Sequence, residues 1–297
     1  MEALEDYLDR QRQRIEAGLD ALLPASDSYP PQLMEAMRYS VFAGGKRLRP
    51  ILVLTAAETI GGDSSAVLPA ACALEYIHTY SMIHDDLPAM DDDAYRRGKL
   101  TNHKVFGEAM AILAGDALLN HAFELMSSPL MAEHFPPGLV LQACHGLARA
   151  AGYQGMIGGQ VVDILSEGRQ VEPDVLEYIH RHKTAALIEA ATTMGGLLGG
   201  GTPEQVRALR DYGHHVGWAF QITDDILDVE GDAALLGKDV GRDAAQQKAT
   251  YPALFGLQAS RHQAGELMQK GIDALTIFDH GAERLRQIAA YIVVRNR

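Results

Sequence analysis

A chain of 297 residues can bury a large core, and its 47% hydrophobic and 22% charged residues make an ordinary globular balance. A net charge of −13 excludes a general nucleic-acid binder, which needs a basic face, but not an enzyme of small anions, because bound cations or a local basic patch invert the field. Two cysteines without a CxxC, Cys72 and Cys144, exclude a disulfide framework and are expected buried and reduced.

The first residues, Met1-Glu2-Ala3-Leu4-Glu5-Asp6, lack the basic stretch and apolar core of a signal peptide, so a cytoplasmic location is expected. Apolar residues at three- and four-residue spacing predict helices over 2–21, 31–43, 50–60, 66–86 and 108–126. The pattern continues over 138–152, 173–195, 203–230, 248–270 and 282–295. Gly or Pro punctuates these stretches at Pro30-Pro31, Gly61-Gly62, Pro129, Pro136-Pro137, Gly199–Gly201 and Pro252. Helices 66–86 and 203–230 are apolar or small on most faces and should be central. The best apolar run, Ala185–Gly200, is broken by Glu189 and falls short of the ~18 residues of a membrane span, so no stable membrane insertion is expected. No linker or repeat marks a boundary. Residues 1–297 are therefore expected to form a single domain, a large all-α helical bundle.

The charged motifs follow the same order along the chain. Gly44-Gly45-Lys46-Arg47-Leu48-Arg49-Pro50 sets three cations just before a helix start, whose free N–H groups and dipole favour an anion, although the P-loop spacing is absent. His78 and Asp85 are two turns apart on one helix face. Between Asp85 and Asp93 there are five carboxylates, Asp85, Asp86, Asp91, Asp92 and Asp93, and Pro88 disfavours a regular helix there, so the chain can turn and bring Asp91 back beside Asp85. Arg96 and Arg97 follow directly. They either neutralise Asp91–Asp93 or grip phosphate oxygens with their planar forks. His180 and His182 invite a metal reading, but their i, i+2 spacing sends them to different faces. Lys183 and Thr184 are better candidates for a substrate cavity, and Gln221, three residues before Asp224, can face the same cavity. Asp224 and Asp228 share a helix face with Asp225 between them, and Lys238 follows in a Gly-rich loop that could close over a phosphate. Trp218 reads as core.

Oxygen-only donors in two acidic clusters favour Mg²⁺ or another hard divalent ion, and Mg²⁺ held by few carboxylates completes its shell with substrate phosphates. Neither cluster has the ligand alternation of a calcium-binding EF-hand loop. The composition of these sites thus points to diphosphate chemistry.

At this point the chain resembles the bacterial short-chain trans-prenyltransferases (isoprenyl diphosphate synthases), most closely those that make farnesyl diphosphate. The resemblance runs through nearly the whole chain. It rests on Gly44–Pro50, Glu75–Arg97, Gly115-Asp116, Gly158-Gly159-Gln160-Val161-Val162-Asp163, His182-Lys183-Thr184, Phe220–Asp228 and Gly237-Lys238-Asp239. It implies an isoprenoid-synthase helical bundle around a deep central cavity, usually a homodimer, that binds small-molecule diphosphates with three Mg²⁺ ions, Mn²⁺ being a possible substitute. It implies that Asp85, Asp91 and Asp224 ligate metal directly, with Asp86, Asp225 and Asp228 as partners or acting through water. Arg96, Lys183 and Lys238 would contact the allylic diphosphate, and Lys46, Arg49, His78 and Arg97 would hold isopentenyl diphosphate. Thr184 and Gln221 would lie near the developing carbocation, while Gln160 and Asp163 match a motif without an assigned role.

Tyr80 lies five residues before Asp85, about 7.5 Å down a helix, where a ring would limit how far a growing tail descends. In the resembling family an aromatic at this position accompanies the C15 product. The alternatives are a geranylgeranyl (C20) or geranyl (C10) diphosphate synthase, or a non-catalytic subunit of a heteromeric prenyltransferase. A terpene cyclase fits less well, because the second cluster is DDxxD and Gly44–Pro50 suits a second diphosphate.

Overall fold

The apolar spacing folds into helices, and the structure is all-α. The computed structural model describes residues 2–169, 171–230 and 248–294. Among these the only sheet is a two-stranded antiparallel hairpin. The chain divides into two compact units, residues 1–51 with 65–144 and residues 52–64 with 145–297.

The first unit begins with α1 (Leu4–Leu22), α2 (Pro31–Val41) and the start of α3 (Leu48–Ile60), which continues into the second unit. Then come α4 (Ser64–Asp85), the hairpin of β1 (Tyr95–Arg96) and β2 (Lys99–Leu100), α5 (Asn102–Phe106), α6 (Glu108–Met126), α7 (Pro129–His134) and the first part of α8 (Pro137–Ala151). Small and apolar residues cover most faces of α4, and Ala70, Ala71, Cys72, Ala73, Leu74 and Ile77 are all fully buried. Gly115 of α6 leaves room for the His84 ring: a Cβ there would lie 2.2 Å from His84 Nε2, which instead sits 3.0 Å from the Ile112 carbonyl oxygen.

The second unit contains α9 (Met156–Ser166), α10 (Pro173–Ile179), a π-helical segment at His180–Ala185, α11 (Ala186–Leu198) and α12 (Pro203–Glu230). It continues with α13 (Tyr251–Phe255), α14 (Leu257–Ala274), a 3₁₀ segment at Leu275–Ala282 and α15 (Glu283–Val294). The long α12 packs against both α11 and α14. Gly213 allows the approach to α11, since a Cβ would sit 2.8 Å from Glu189 Cα, and Gly217 does the same against the π segment, 2.8 Å from Ala185 Cα. Leu176, Ala219, Ile222, Ile226, Tyr251, Ala264 and Leu267 form a buried cluster, with Trp218 packed at its edge as core.

The structure departs from the sequence reading at several points. The helix predicted over 173–195 is interrupted by the π segment, and the one over 248–270 breaks at Gly256, whose φ of 80° ends α13. The hairpin, α5, α7 and α9 are not predicted. In α9, Gly159 serves close packing: a Cβ would fall 2.3 Å from the Lys183 backbone nitrogen. Both cysteines are free, and Cys144 is half-buried rather than buried. Among the described residues no helix is long and apolar enough to cross a membrane.

Candidate active site

In the first unit α4 ends at Asp85 and the chain turns back on itself through Pro88. The Asp91 amide donates to the Asp85 carbonyl at 2.8 Å, the Asp92 amide to Leu87 at 3.1 Å and the Asp93 amide to Asp86 at 3.2 Å. Asp91 therefore returns beside Asp85, as Pro88 predicts. Asp86 is buried, and its carboxylate is gripped by Arg96, with Nε at 2.8 and 3.0 Å from its two oxygens and Nη2 at 2.6 Å from Oδ1. Asp93 lies 3.6 Å from the same guanidinium. Burial pushes the Asp86 carboxyl up, against the pull of Arg96. Burial works against the Arg96 charge, but Asp86, Asp85 and Asp93 outweigh it and hold the guanidinium above its ordinary value. Arg96 is thus held by the acidic cluster, and Asp86 acts on it as an orienting partner.

The cations form a second group in this unit. Arg49 Nη1 lies 3.4 Å from His78 Nε2. Arg97 Nη1 donates to the Gly44 carbonyl, and the guanidinium sits so close over Gly45 that a Cβ there would lie 2.6 Å from Nη1. Burial, joined by Arg49, Arg97, Arg96 and Arg47, drives the His78 imidazole well below its ordinary value, so the ring is neutral. Burial also lowers Arg97, with Glu75 opposing and Arg47, Arg96 and Arg49 adding to the effect. The local field is strongly positive. Lys46 is exposed at the edge of this group.

Four non-glycine residues among those described have positive φ, and three of them, Arg47 (53°), Asp92 (48°) and Arg97 (52°), belong to this part of the chain. Residues held in the left-handed region concentrate where geometry matters more than backbone ease. Arg47 is the inward-turned member: its Nη1 lies 2.9 Å from Glu75 Oε1 and its Nη2 2.6 Å from the Val41 carbonyl oxygen, both fully enclosed. Tyr80 is buried on α4 with its ring edge-on to His84 at 5.7 Å. Burial and the nearby Asp85 push its phenol up to about 12, and the hydroxyl has no partner among the described residues.

In the second unit the π segment carries Lys183 and Thr184. Widened turns of this kind recur at functional sites. Lys183 Nζ lies 2.6 Å from Asp163 Oδ2 on α9. The Thr184 hydroxyl donates to Gln221 Oε1 at 2.6 Å, and Gln221 Nε2 donates to Asp225 Oδ1 at 2.9 Å. The other Asp225 oxygen accepts from the Tyr251 amide at 2.9 Å and lies 3.2 Å from His180 Nε2. Asp225 is therefore wholly committed to protein partners. Asp224 and Asp228 stand one turn apart on α12, Asp224 half-buried and Asp228 buried. His182 instead stacks on Tyr178 at 3.8 Å, so the two histidines diverge as their spacing predicts. Lys238 lies outside the described residues.

Sequence reasoning counts Arg47 only among three anion-favouring cations, sets His180 aside as a metal ligand, gives no role to Glu75 or Tyr251, and leaves Asp163 unassigned. Glu75 carries a usable signal, a lone carboxylate in the otherwise apolar stretch 66–77 of α4. The partnership of Asp225 with a backbone amide 26 residues away has none.

Among the described residues no three His, Cys, Asp or Glu side chains converge as a closed metal cage. The turn of the first cluster instead brings Asp85 and Asp91, both half-buried, next to each other in the backbone. Mg²⁺ asks the protein for only one or two carboxylates and takes phosphate oxygens and water for the rest, so this donor set fits it.

Known proteins resemble the chain along most of its length. The polyprenyl synthetase family profile matches residues 30–276. A farnesyl diphosphate synthase of Geobacillus stearothermophilus is 48% identical over 261 residues, covering 88% of this chain and 87% of that protein. The heterodimeric geranylgeranyl pyrophosphate synthase large subunit 1, chloroplastic, of Arabidopsis thaliana is 46% identical over 293 residues, covering 97% of this chain and 78% of that one. Among solved structures, an FPP/GFPP synthase from Zymomonas mobilis matches with a TM-score of 0.87 at 36% identity, covering 98% of this chain and 99% of that chain.

Proposed function

The chain belongs to the polyprenyl synthetase family and is a short-chain prenyltransferase, and we propose that it condenses isopentenyl diphosphate with dimethylallyl and then geranyl diphosphate to give (E,E)-farnesyl diphosphate. The observation that carries the diphosphate chemistry is the positive field around His78, built by Arg49, Arg97, Arg96 and Arg47 two turns along α4 from the Asp85–Asp91 turn. A polyanion is the ligand such a field selects.

In this reading Lys46, Arg49, His78 and Arg97 hold isopentenyl diphosphate, and Arg96, Lys183 and Lys238 hold the allylic diphosphate. Asp85, Asp91 and Asp224 ligate Mg²⁺, three ions in all, with Mn²⁺ as a substitute. Asp86, Asp225 and Asp228 position their neighbours or act through water. When bound, Mg²⁺ supplies Lewis-acid stabilisation of the leaving diphosphate. Thr184, whose proton is committed to Gln221, turns oxygen lone pairs toward the positive charge that develops on the allylic carbon. Apolar walls exclude water from that carbon. The proton released as the new double bond forms goes to the departing diphosphate, so no protein base is needed.

Tyr80 supports a C15 limit, because a buried ring at this depth would stop the tail. Similarity to geranylgeranyl synthases favours a second reading, a C20 product from the same chemistry. We place the protein in the cytoplasm as a homodimer, its 297 residues acting as one functional domain. Apolar side chains exposed along one face of α9, Ile157, Val161, Ile164 and Leu165, support the pairing.

The test is to incubate the purified chain with Mg²⁺, isopentenyl diphosphate and dimethylallyl diphosphate and to read product mass. Dominant C15 is expected. Dominant C20 would shift the assignment to the second reading, and no product, with geranyl diphosphate also unused, would overturn prenyl transfer.

A further inference from the structure

Arg47 adds to the positive field around His78, but neither Arg47 nor Glu75 is assigned a substrate contact above, and their side chains are enclosed in the first unit. The two side chains are 1% and 2% exposed, and Arg47 takes a φ of 53° to bring its guanidinium to Glu75. A buried ion pair commonly adds little net stability over well-packed apolar residues, so stability is a poor reason for this one. Register is a better reason.

Glu75 and His78 are three residues apart and share a face of α4. Arg47 is the last residue before α3, and Arg49 is the second residue within it. The Arg47–Glu75 contact at 2.9 Å and the Arg49–His78 contact at 3.4 Å therefore fasten the entry and first turn of α3 to α4 at two points, in a single alignment. A slip by one residue would set Leu48, which has no charge, against Glu75. Arg47 is also tied to the Val41 carbonyl at the end of α2, so the loop is fixed at its root. A third tie comes from Arg97, which donates to Gly44 and lies against the bare Cα of Gly45. Arg49, His78 and Arg97 thus share one frame, and the enclosed contacts of Arg47 with Glu75 and Val41 are its buried anchor.

We infer that the buried Arg47–Glu75 ion pair is the positioning element of the isopentenyl diphosphate subsite, setting Arg49, His78 and Arg97 in register without touching substrate. The inference rests on the proposed assignment of those three residues to that substrate.

The experiment compares steady-state KM values for isopentenyl and geranyl diphosphate in the parent and in the double variant Arg47→Met/Glu75→Leu, which leaves no unpaired buried charge. The expected result is a rise of about tenfold or more in the KM for isopentenyl diphosphate, with the KM for geranyl diphosphate within about twofold of the parent. A folded double variant with both KM values of the parent would make the pair purely structural and overturn the inference, and so would an equal rise in both. If the double variant does not fold, Glu75→Gln keeps the volume and the acceptor at Oε1. A selective rise of about threefold is then expected, and its absence counts against the pair. A parent protein that makes no product overturns prenyl transfer and the inference with it. An active parent whose variants show no selective rise overturns the inference alone.

Discussion

Lys183 Nζ lies 2.6 Å from Asp163 Oδ2, an ammonium from the π segment held by a carboxylate of α9. A lysine delivers its charge on a flexible four-carbon stem, and a fixed carboxylate restricts where that charge arrives. Asp163→Ala should therefore raise the KM for the allylic diphosphate about three- to tenfold, less than Lys183→Ala does, and leave isopentenyl diphosphate affected by less than about twofold. Steady-state kinetics with geranyl diphosphate as the varied substrate reads this directly. Unchanged allylic KM in Asp163→Ala would show that Asp163 has no hand in orienting Lys183.

Metal dependence should follow the carboxylates. Asp85→Ala, Asp91→Ala and Asp224→Ala are each expected to lower turnover by well over about tenfold, and chelation with EDTA should abolish it until Mg²⁺ is restored. Wild-type turnover by Asp85→Ala at saturating Mg²⁺ would remove Asp85 from the ligand set.

Two substitutions at Tyr80 separate ring from hydroxyl. Its hydroxyl is buried without a partner among the described residues, so Tyr80→Phe should keep the C15 product and leave the melting temperature unchanged or higher. Tyr80→Ala removes the ring and should shift the product toward C20, with a destabilisation of about 3–5 kcal/mol if the space does not collapse. Product mass and thermal melts check both. A Tyr80→Ala enzyme that still stops at C15 would mean that another residue forms the floor.

The fold is largely legible in the sequence where periodicity and punctuation agree. The helix predicted over 108–126 is α6, Glu108–Met126, because the apolar spacing begins directly after Gly107. Reading fails where a glycine answers to a distant backbone, as Gly159 does to Lys183 in α9. The candidate site divides the same way. The return of Asp91 to Asp85 can be foreseen from Pro88, a local effect. The commitments of Asp225 to His180 and to the Tyr251 amide cannot, because they exist only once α12, the π segment and α13 are packed.

His78 makes a pH dependence that can be signed. Its folded pKa lies below the ordinary histidine value of 6.5, so between the two values the unfolded chain binds more protons than the folded one. Its contribution to stability is then complete above about 6.5 and is lost as pH falls below it, at up to about 1.4 kcal/mol per pH unit. Thermal melts from pH 7.5 down to 5.5 should show a shallower acid-side decline in His78→Asn than in the parent. Parallel declines would mean that His78 is free to protonate in the folded protein.

The π segment at His180–Ala185 has a consequence for chain length. Such a turn holds one residue more than an α-helix of the same rise needs, and each residue of a helix turns its side chain by about 100°. The surplus residue lets the neighbours Lys183 and Thr184 reach different helices, one to Asp163 of α9 and the other to Gln221 of α12. Deleting Arg181 or His182 would tighten the segment into a regular helix and rotate one of these neighbours off its partner. The number of residues in this segment is therefore a constraint of its own, beside the identity of Lys183 and Thr184.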